Sequence, residues 1–143
     1  MADSQKFAVA AHALAYLAHR GAMTPEAAVS SVELAASIST HPVVIRRVTG
    51  MLAQAGLVAT RAGARGGAWL TRPAEAIHLD AVLKAVDGGP HIGVTPAGAV
   101  GCPVGKKIPS AVCAVIQAAD AAAAQRLATI TVADLLARAE ALP

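Results

Sequence analysis

The stretch Ser39-Thr40-His41-Pro42-Val43-Val44-Ile45-Arg46-Arg47-Val48-Thr49-Gly50-Met51-Leu52-Ala53-Gln54-Ala55-Gly56 decides the fold. Pro42 has no N–H and a fixed φ, so it suits the first turn of a helix and opens one here. Ile45, Val48 and Leu52 recur at helical spacing and define one apolar side. Arg46 and Arg47 fall outside that stripe and face outward. Gly56 suits the left-handed residue that closes a helix. These residues specify a helix from Pro42 to about Gln54, anchored on one side and basic on the other, with a polar turn at Ser39-Thr40-His41 before it.

Upstream, Phe7, Ala11, Leu14 and Leu17 recur at helical spacing, so Lys6 to His19 reads as a first helix. Ser30 and Glu33 form an S-x-x-E pattern. It predicts a capping box, with Glu33 reaching back to the Ser30 N–H, at the head of a helix over Val32 to Ser37. Leu34, Ala35 and Ile38 form the apolar side of that helix. Downstream, Leu57-Val58-Ala59-Thr60 and Ala68-Trp69-Leu70-Thr71 flank the turn Arg61-Ala62-Gly63-Ala64-Arg65-Gly66-Gly67. Two short strands around a glycine-rich turn read as a hairpin. Gly66 and Gly67 fit a turn that needs positive φ. Trp69 is expected in the core beneath the hairpin. The order helix, helix, turn, helix, hairpin is that of a winged helix-turn-helix.

The second half is plainer. A fourth helix covers Leu79 to Val86, followed by Asp87-Gly88-Gly89-Pro90. His91 to Pro109 is rich in Gly and Pro, has no period and reads as a loop. Ser110 then caps a long helix whose narrow seam is Val112, Ile116, Ala119, Ala123 and Leu127, a pattern suited to pairing with another helix. Thr131 with Asp134 caps a last short helix. The chain thus divides into a winged helix-turn-helix at 1–88, a linker at 89–109 and dimerisation helices at 110–143. The fold class is mainly α with one small β-hairpin.

Hydrophobic residues make up 55% of the 143 and aromatics only 2%, with much of the apolar share alanine. Alanine favours helix but buries little area, which points to close-packed helices completed by a second subunit. The net charge is only +3, but its placement is uneven. From His41 to Arg72 there are five arginines (Arg46, Arg47, Arg61, Arg65, Arg72) and no acid, whereas after Gly88 the charges nearly balance. A positive field confined to the recognition helix and the hairpin suits a polyanion. The start of the Pro42 helix also offers free N–H donors to a phosphate. An arginine at the hairpin tip suits the deep negative potential of a narrow minor groove. The fold also serves protein recognition, so a module that binds a metabolic enzyme or another protein is the competing class; the acid-free arginine stretch favours double-stranded DNA. No acid–base pair, nucleophile triad or metal-ligand spacing points to an enzyme, and His12 reads as a core or interface residue. No uncharged run is long and unbroken enough for a membrane span, and a cytoplasmic location is expected.

The residues also resemble a known family. Ser4-Gln5-Lys6-Phe7-Ala8-Val9-Ala10-Ala11-His12-Ala13-Leu14 is similar to the opening of the IscR/NsrR/CymR group of bacterial repressors, the "Rrf-two" family. Pro42 to Arg47 with Leu52 to Val58 resembles its recognition helix and exit, and Gly63 to Leu70 its glycine-rich wing. Ile77 to Val82 with Ala85 to Gly88 resembles the helix that follows, and Gly101-Cys102-Pro103-Val104-Gly105 a motif of one branch. The resemblance implies a homodimer on a palindromic operator, held by a long C-terminal helix that crosses to the partner. It places Lys6, Thr40, His41, Arg46, Arg47, Arg65, Gly66 and Gly67 where the family touches DNA, and Ser39 of the polar turn and Arg61 of the hairpin join them as candidate DNA-binding residues. It also implies a sensor near the cysteines. Cluster-bearing members carry three closely spaced cysteines, whereas this chain has only Cys102 and Cys113, so neither an iron–sulfur cluster nor another cofactor or metal is expected. His78 stands where the family often has Thr, which weakens the cap of the fourth helix. Cys102 lies beside Lys106 and Lys107, and positive charge favours the reactive thiolate. The two cysteines are therefore candidate sensor thiols for an oxidant, with packing as the alternative role and a disulfide, within or between subunits, as a further one. A small-molecule effector between the dimer halves is the other candidate signal.

Overall fold

The computed structural model describes residues 5–143, so Ser4 and the first residues of the 1–88 unit lie outside it. Helix α1 spans Lys6–His19, α2 Ser31–Ile38 and α3 Pro42–Gln54. Strands β1 (Val58–Arg61) and β2 (Gly67–Leu70) pair antiparallel in the register Val58 with Leu70 and Arg61 with Gly67. Then come α4 (Leu79–Asp87), α5 (Pro103–Ala128) and α6 (Val132–Glu140). Both expected strands are present, shifted one residue later in β1 and one earlier in β2. Ala68 also bridges to Val29, which ties the hairpin to the segment ahead of α2. The winged helix-turn-helix order is thus realised.

The core forms where the apolar stripes converge. Leu14 and Leu17 of α1, Leu34 of α2, and Ile45, Val48 and Leu52 of α3 are fully buried, joined by Leu70, Ile77, Val82 and Val132. Each such side chain contributes roughly 1.5–3 kcal/mol by leaving water. Trp69 is half-buried and packs against this cluster. Thr49 is the one buried polar residue of the described core, and its hydroxyl donates to the Ile45 carbonyl at 2.8 Å. His12 is not a core residue, the first of its two expected roles. It is exposed, with Nε2 3.2 Å from the Ser37 hydroxyl, because it lies on the side of α1 away from the Leu14–Leu17 stripe.

Only half of the first capping box forms. Ser30 accepts from the Glu33 N–H at 3.1 Å, but the Glu33 carboxylate turns instead to the Tyr16 hydroxyl, 2.9 Å away, and to the Arg20 guanidinium. An ion pair across to α1 competes successfully with the Ser30 N–H. The box at Thr131 and Asp134 is complete in both directions. The Thr131 N–H bonds to the Asp134 carboxylate, and this bond, seconded by the Thr131 hydroxyl, holds the carboxyl below its ordinary value. His78 makes no side-chain cap for α4. Its Nδ1–H donates to the Ala128 carbonyl at 2.8 Å, which fastens the end of α5 to the start of α4.

The largest departure is the start of α5. The long helix begins at Pro103, not Ser110, and Cys102 rather than Ser110 is its N-cap. Pro109 therefore lies inside the helix, where it has no N–H to give the Gly105 carbonyl. Gly98 of the linker crosses that carbonyl so closely that a Cβ would collide with it. The linker is thus a strap laid along α5. Its Ile92 N–H bonds to Asp120 at 3.0 Å, and Thr95, Pro96 and Ala97 face Pro109, Ser110 and Cys113 across a cavity of about 370 Å³. The lengths agree: fifteen helical residues span about 22 Å and six extended residues about 20 Å. No residue of α5 is buried. Val104, Ile108, Val112 and Val115 form an exposed apolar stripe at spacings of four, four and three, while Ile116, Ala119 and Leu127 of the expected seam are half-covered and Ala123 is exposed.

Candidate nucleic-acid interface

The turn between α2 and α3 is held by Ser39 in the left-handed region at φ 60°, the one non-glycine residue there among those described. His41 is the N-cap of α3, and its Nδ1 accepts from the Val43 N–H at 3.2 Å. That bond assigns the ring proton to Nε2, leaving this N–H free to meet an acceptor. Thr40 is half-buried beside it, and Pro42 occupies the first turn. Arg46 and Arg47 are both exposed. Arg46 donates to the Ser31 hydroxyl at 3.1 Å, which steadies it against α2, while the Arg47 guanidinium has no partner among the described residues.

The hairpin completes the surface. Arg61, the last residue of β1, is exposed yet donates to the carbonyls of Arg65 (3.1 Å) and Pro25 (3.3 Å). The Arg65 guanidinium at the tip has no partner among the described residues. The two glycines have a steric reason to be there. A Cβ on Gly66 would strike the Arg61 carbonyl, and one on Gly67, at φ 154°, would strike the Val29 carbonyl. For Gly66 this replaces the expected need for positive φ. Between the wing and α3 lies a cleft of about 670 Å³, edged by Ser31, Arg46, Thr49, Thr60, Arg61 and Gly66. Arginine side chains from both elements therefore border one concave surface, and among the described residues no acid lines it. Lys6 lies apart from it, on α1, paired with Asp87 at 3.7 Å. Arg72 is turned to the Gly56 carbonyl at 3.4 Å. The ties of Arg46 to Ser31 and of Arg61 to Pro25 join residues far apart in sequence, and no spacing signals them.

Cys102 is exposed and its sulfur accepts from the Gly105 N–H at 3.4 Å, whereas Cys113 is half-buried beneath the strap. Eleven residues of α5 hold the two roughly 16 Å apart, far beyond the reach of a disulfide within one chain. Among the described residues no helix is long and apolar enough to cross a membrane.

Residues 3–138 match the family model Rrf2, described as an iron-dependent transcriptional regulator. The chain is 31% identical over 138 residues to YwnA of Bacillus subtilis (strain 168), a candidate HTH-type transcriptional regulator, covering 93% of this chain and 96% of that one. A crystal structure of a candidate transcriptional regulator from Lactobacillus plantarum superposes with a TM-score of 0.79 at 27% identity, over 96% of this chain and 91% of that one. The oxidized form of Staphylococcus aureus CymR shares the fold, with a TM-score of 0.65 at 22% identity over 95% and 96% of the two chains. Among the described residues, the donor set within one chain does not fit an iron centre. Its two cysteines are too far apart to share a metal, and no three His, Cys, Asp or Glu residues among those described come together for one. The family consists of regulators and not enzymes, and the chain belongs to it: it is a member of the Rrf2 family of DNA-binding transcriptional regulators.

Proposed function

We propose that the chain acts as a homodimeric repressor on a palindromic operator. The observation that carries this reading is the shared concave surface of α3 and the wing, with arginines on both sides and no acid among the described residues that line it. Helix α3 enters the major groove, where His41, Thr40, Ser39, Arg46 and Arg47 meet base edges and phosphates. Arg65 meets the backbone or minor groove from the wing tip, and Gly66 and Gly67 let the wing lie close. Lys6 exchanges Asp87 for a phosphate at the flank. The exposed stripe of Val104, Ile108, Val112 and Val115 on α5 is the dimer contact, since a lone chain leaves it in water. A two-fold dimer matches a palindrome.

Cys102 is the proposed sensor thiol. It caps α5, so its oxidation or alkylation alters the start of the dimer helix. Cys102→Ser keeps a good capping group and removes the thiol. DNase footprinting of the DNA upstream of the protein's own gene, with and without peroxide, tests both parts. The expected result is a symmetric two-lobed protection that peroxide removes in the wild type and not in Cys102→Ser. No protection refutes the operator reading; equal peroxide sensitivity in Cys102→Ser refutes the thiol reading alone.

A further inference from the structure

Arg61 stands in the basic segment but is engaged differently from its neighbours. Its Nη2 carries two hydrogens and meets two carbonyl oxygens, one at each end of the wing's attachment. The Arg65 carbonyl, 3.1 Å away, belongs to the tip; the Pro25 carbonyl, 3.3 Å away, belongs to the short turn Pro25–Ala27 on the body. The tip is otherwise held by the Gly66 N–H to Gly63 carbonyl bond at 3.0 Å, which is internal to the turn. Farther in, the wing joins the body through the paired bonds between Val29 and Ala68, both 2.9 Å. Arg61 therefore ties the tip itself to the body. A planar guanidinium holds two acceptors at a fixed angle, which a lysine ammonium on a flexible stem does not reproduce.

We propose that Arg61 is a positioning residue for DNA binding: it fixes the backbone of the wing tip so that the free Arg65 guanidinium is presented to DNA, and it does not itself neutralise a phosphate. The proposal rests on the wing being a DNA contact. It separates the two wing arginines, which the charge pattern alone treats as equals.

The test has two arms. In the DNA-free protein, amide hydrogen exchange over residues 62–67 is compared in wild type, Arg61→Ala and Arg61→Lys. Faster exchange in both variants, with α1 to α3 unchanged, is expected; wild-type exchange in Arg61→Ala overturns the tie. In the second arm, operator affinity is measured against salt for Arg61→Ala, Arg61→Lys, Arg65→Ala and the double variant Arg61→Ala/Arg65→Ala. Each neutralised phosphate contributes a slope of about 0.9. Residues that act through one contact are non-additive. The double variant is expected to match Arg65→Ala, with a slope reduced by about 0.9, and Arg61→Lys to bind no better than Arg61→Ala. A double variant that loses about 1.8, or rescue by lysine, overturns the proposal in favour of direct contact. Absence of DNA binding by the wild type refutes the functional reading instead, and the exchange arm still judges the tie.

Discussion

Replacing Val115 with Ser should weaken the dimer without weakening the fold of the single chain. Val115 is 68% exposed on α5 and belongs to the stripe with Val104, Ile108 and Val112. Full burial of such a side chain contributes roughly 2 kcal/mol, so covering what remains exposed contributes about 1.4 kcal/mol. In a two-fold dimer the contact occurs twice, and the loss is about 3 kcal/mol, or roughly a hundredfold in the dimer dissociation constant. Val and Ser have similar helix propensity, which keeps α5 intact and isolates the burial effect. Sedimentation equilibrium over a concentration series measures that constant directly, and far-ultraviolet circular dichroism checks the helix. A dissociation constant unchanged by Val115→Ser would refute the assignment of the stripe to the dimer. So would a wild-type chain that is monomeric at tens of micromolar.

Other perturbations act on the fold and its parts. Leu52→Ala, at a fully buried position of α3, should cost about 2–5 kcal/mol in urea unfolding; a loss below 1 kcal/mol would contradict the packing described. Gly67→Ala should lose about 1–3 kcal/mol, because its Cβ would meet the Val29 carbonyl, and a wild-type melting curve would show that the wing does not lie this close. Asp134 has a lowered folded-state value, so its ionised form stabilises the protein above the unfolded value near 4 and that contribution fades as the pH falls through the folded value. The stability gap between wild type and Asp134→Ala should therefore be present at pH 7 and narrow below about pH 4; a gap that widens in acid would mean that the folded state favours the protonated carboxyl instead.

Helices α1 and α3 were legible to the residue because their signals are local. Pro42 opens α3, Gly56 follows its end at φ 74°, and the apolar spacing runs without interruption. The start of α5 was illegible for a reason that is not local. Pro109 reads as a break unless one knows that Gly98 of the strap lies over the carbonyl it leaves free. Cysteine is also not a residue that sequence reading expects at an N-cap, so Ser110 drew the assignment away from Cys102. Glu33 illustrates the same limit. Its spacing to Ser30 was correct, but Tyr16 and Arg20 from another helix decided where its carboxylate went. At the candidate interface, the location of the charge was legible from Arg46, Arg47, Arg61 and Arg65. The distinction between free and engaged arginines was not, because the carbonyl of Pro25 and the hydroxyl of Ser31 come to them only through folding.

The central claim is that α3 and the wing together bind the DNA backbone and bases. Fluorescence anisotropy of a labelled duplex from the protein's own upstream region, titrated from about 50 to 300 mM salt, tests it most directly. The wild type should lose affinity steeply and bind an unrelated duplex at least a thousandfold more weakly, on the scale of about 10³–10⁷ for specific readers. Arg47→Ala and Arg65→Ala should each lower the salt slope by about one. Binding that ignores salt, or slopes that both substitutions leave untouched, would contradict it.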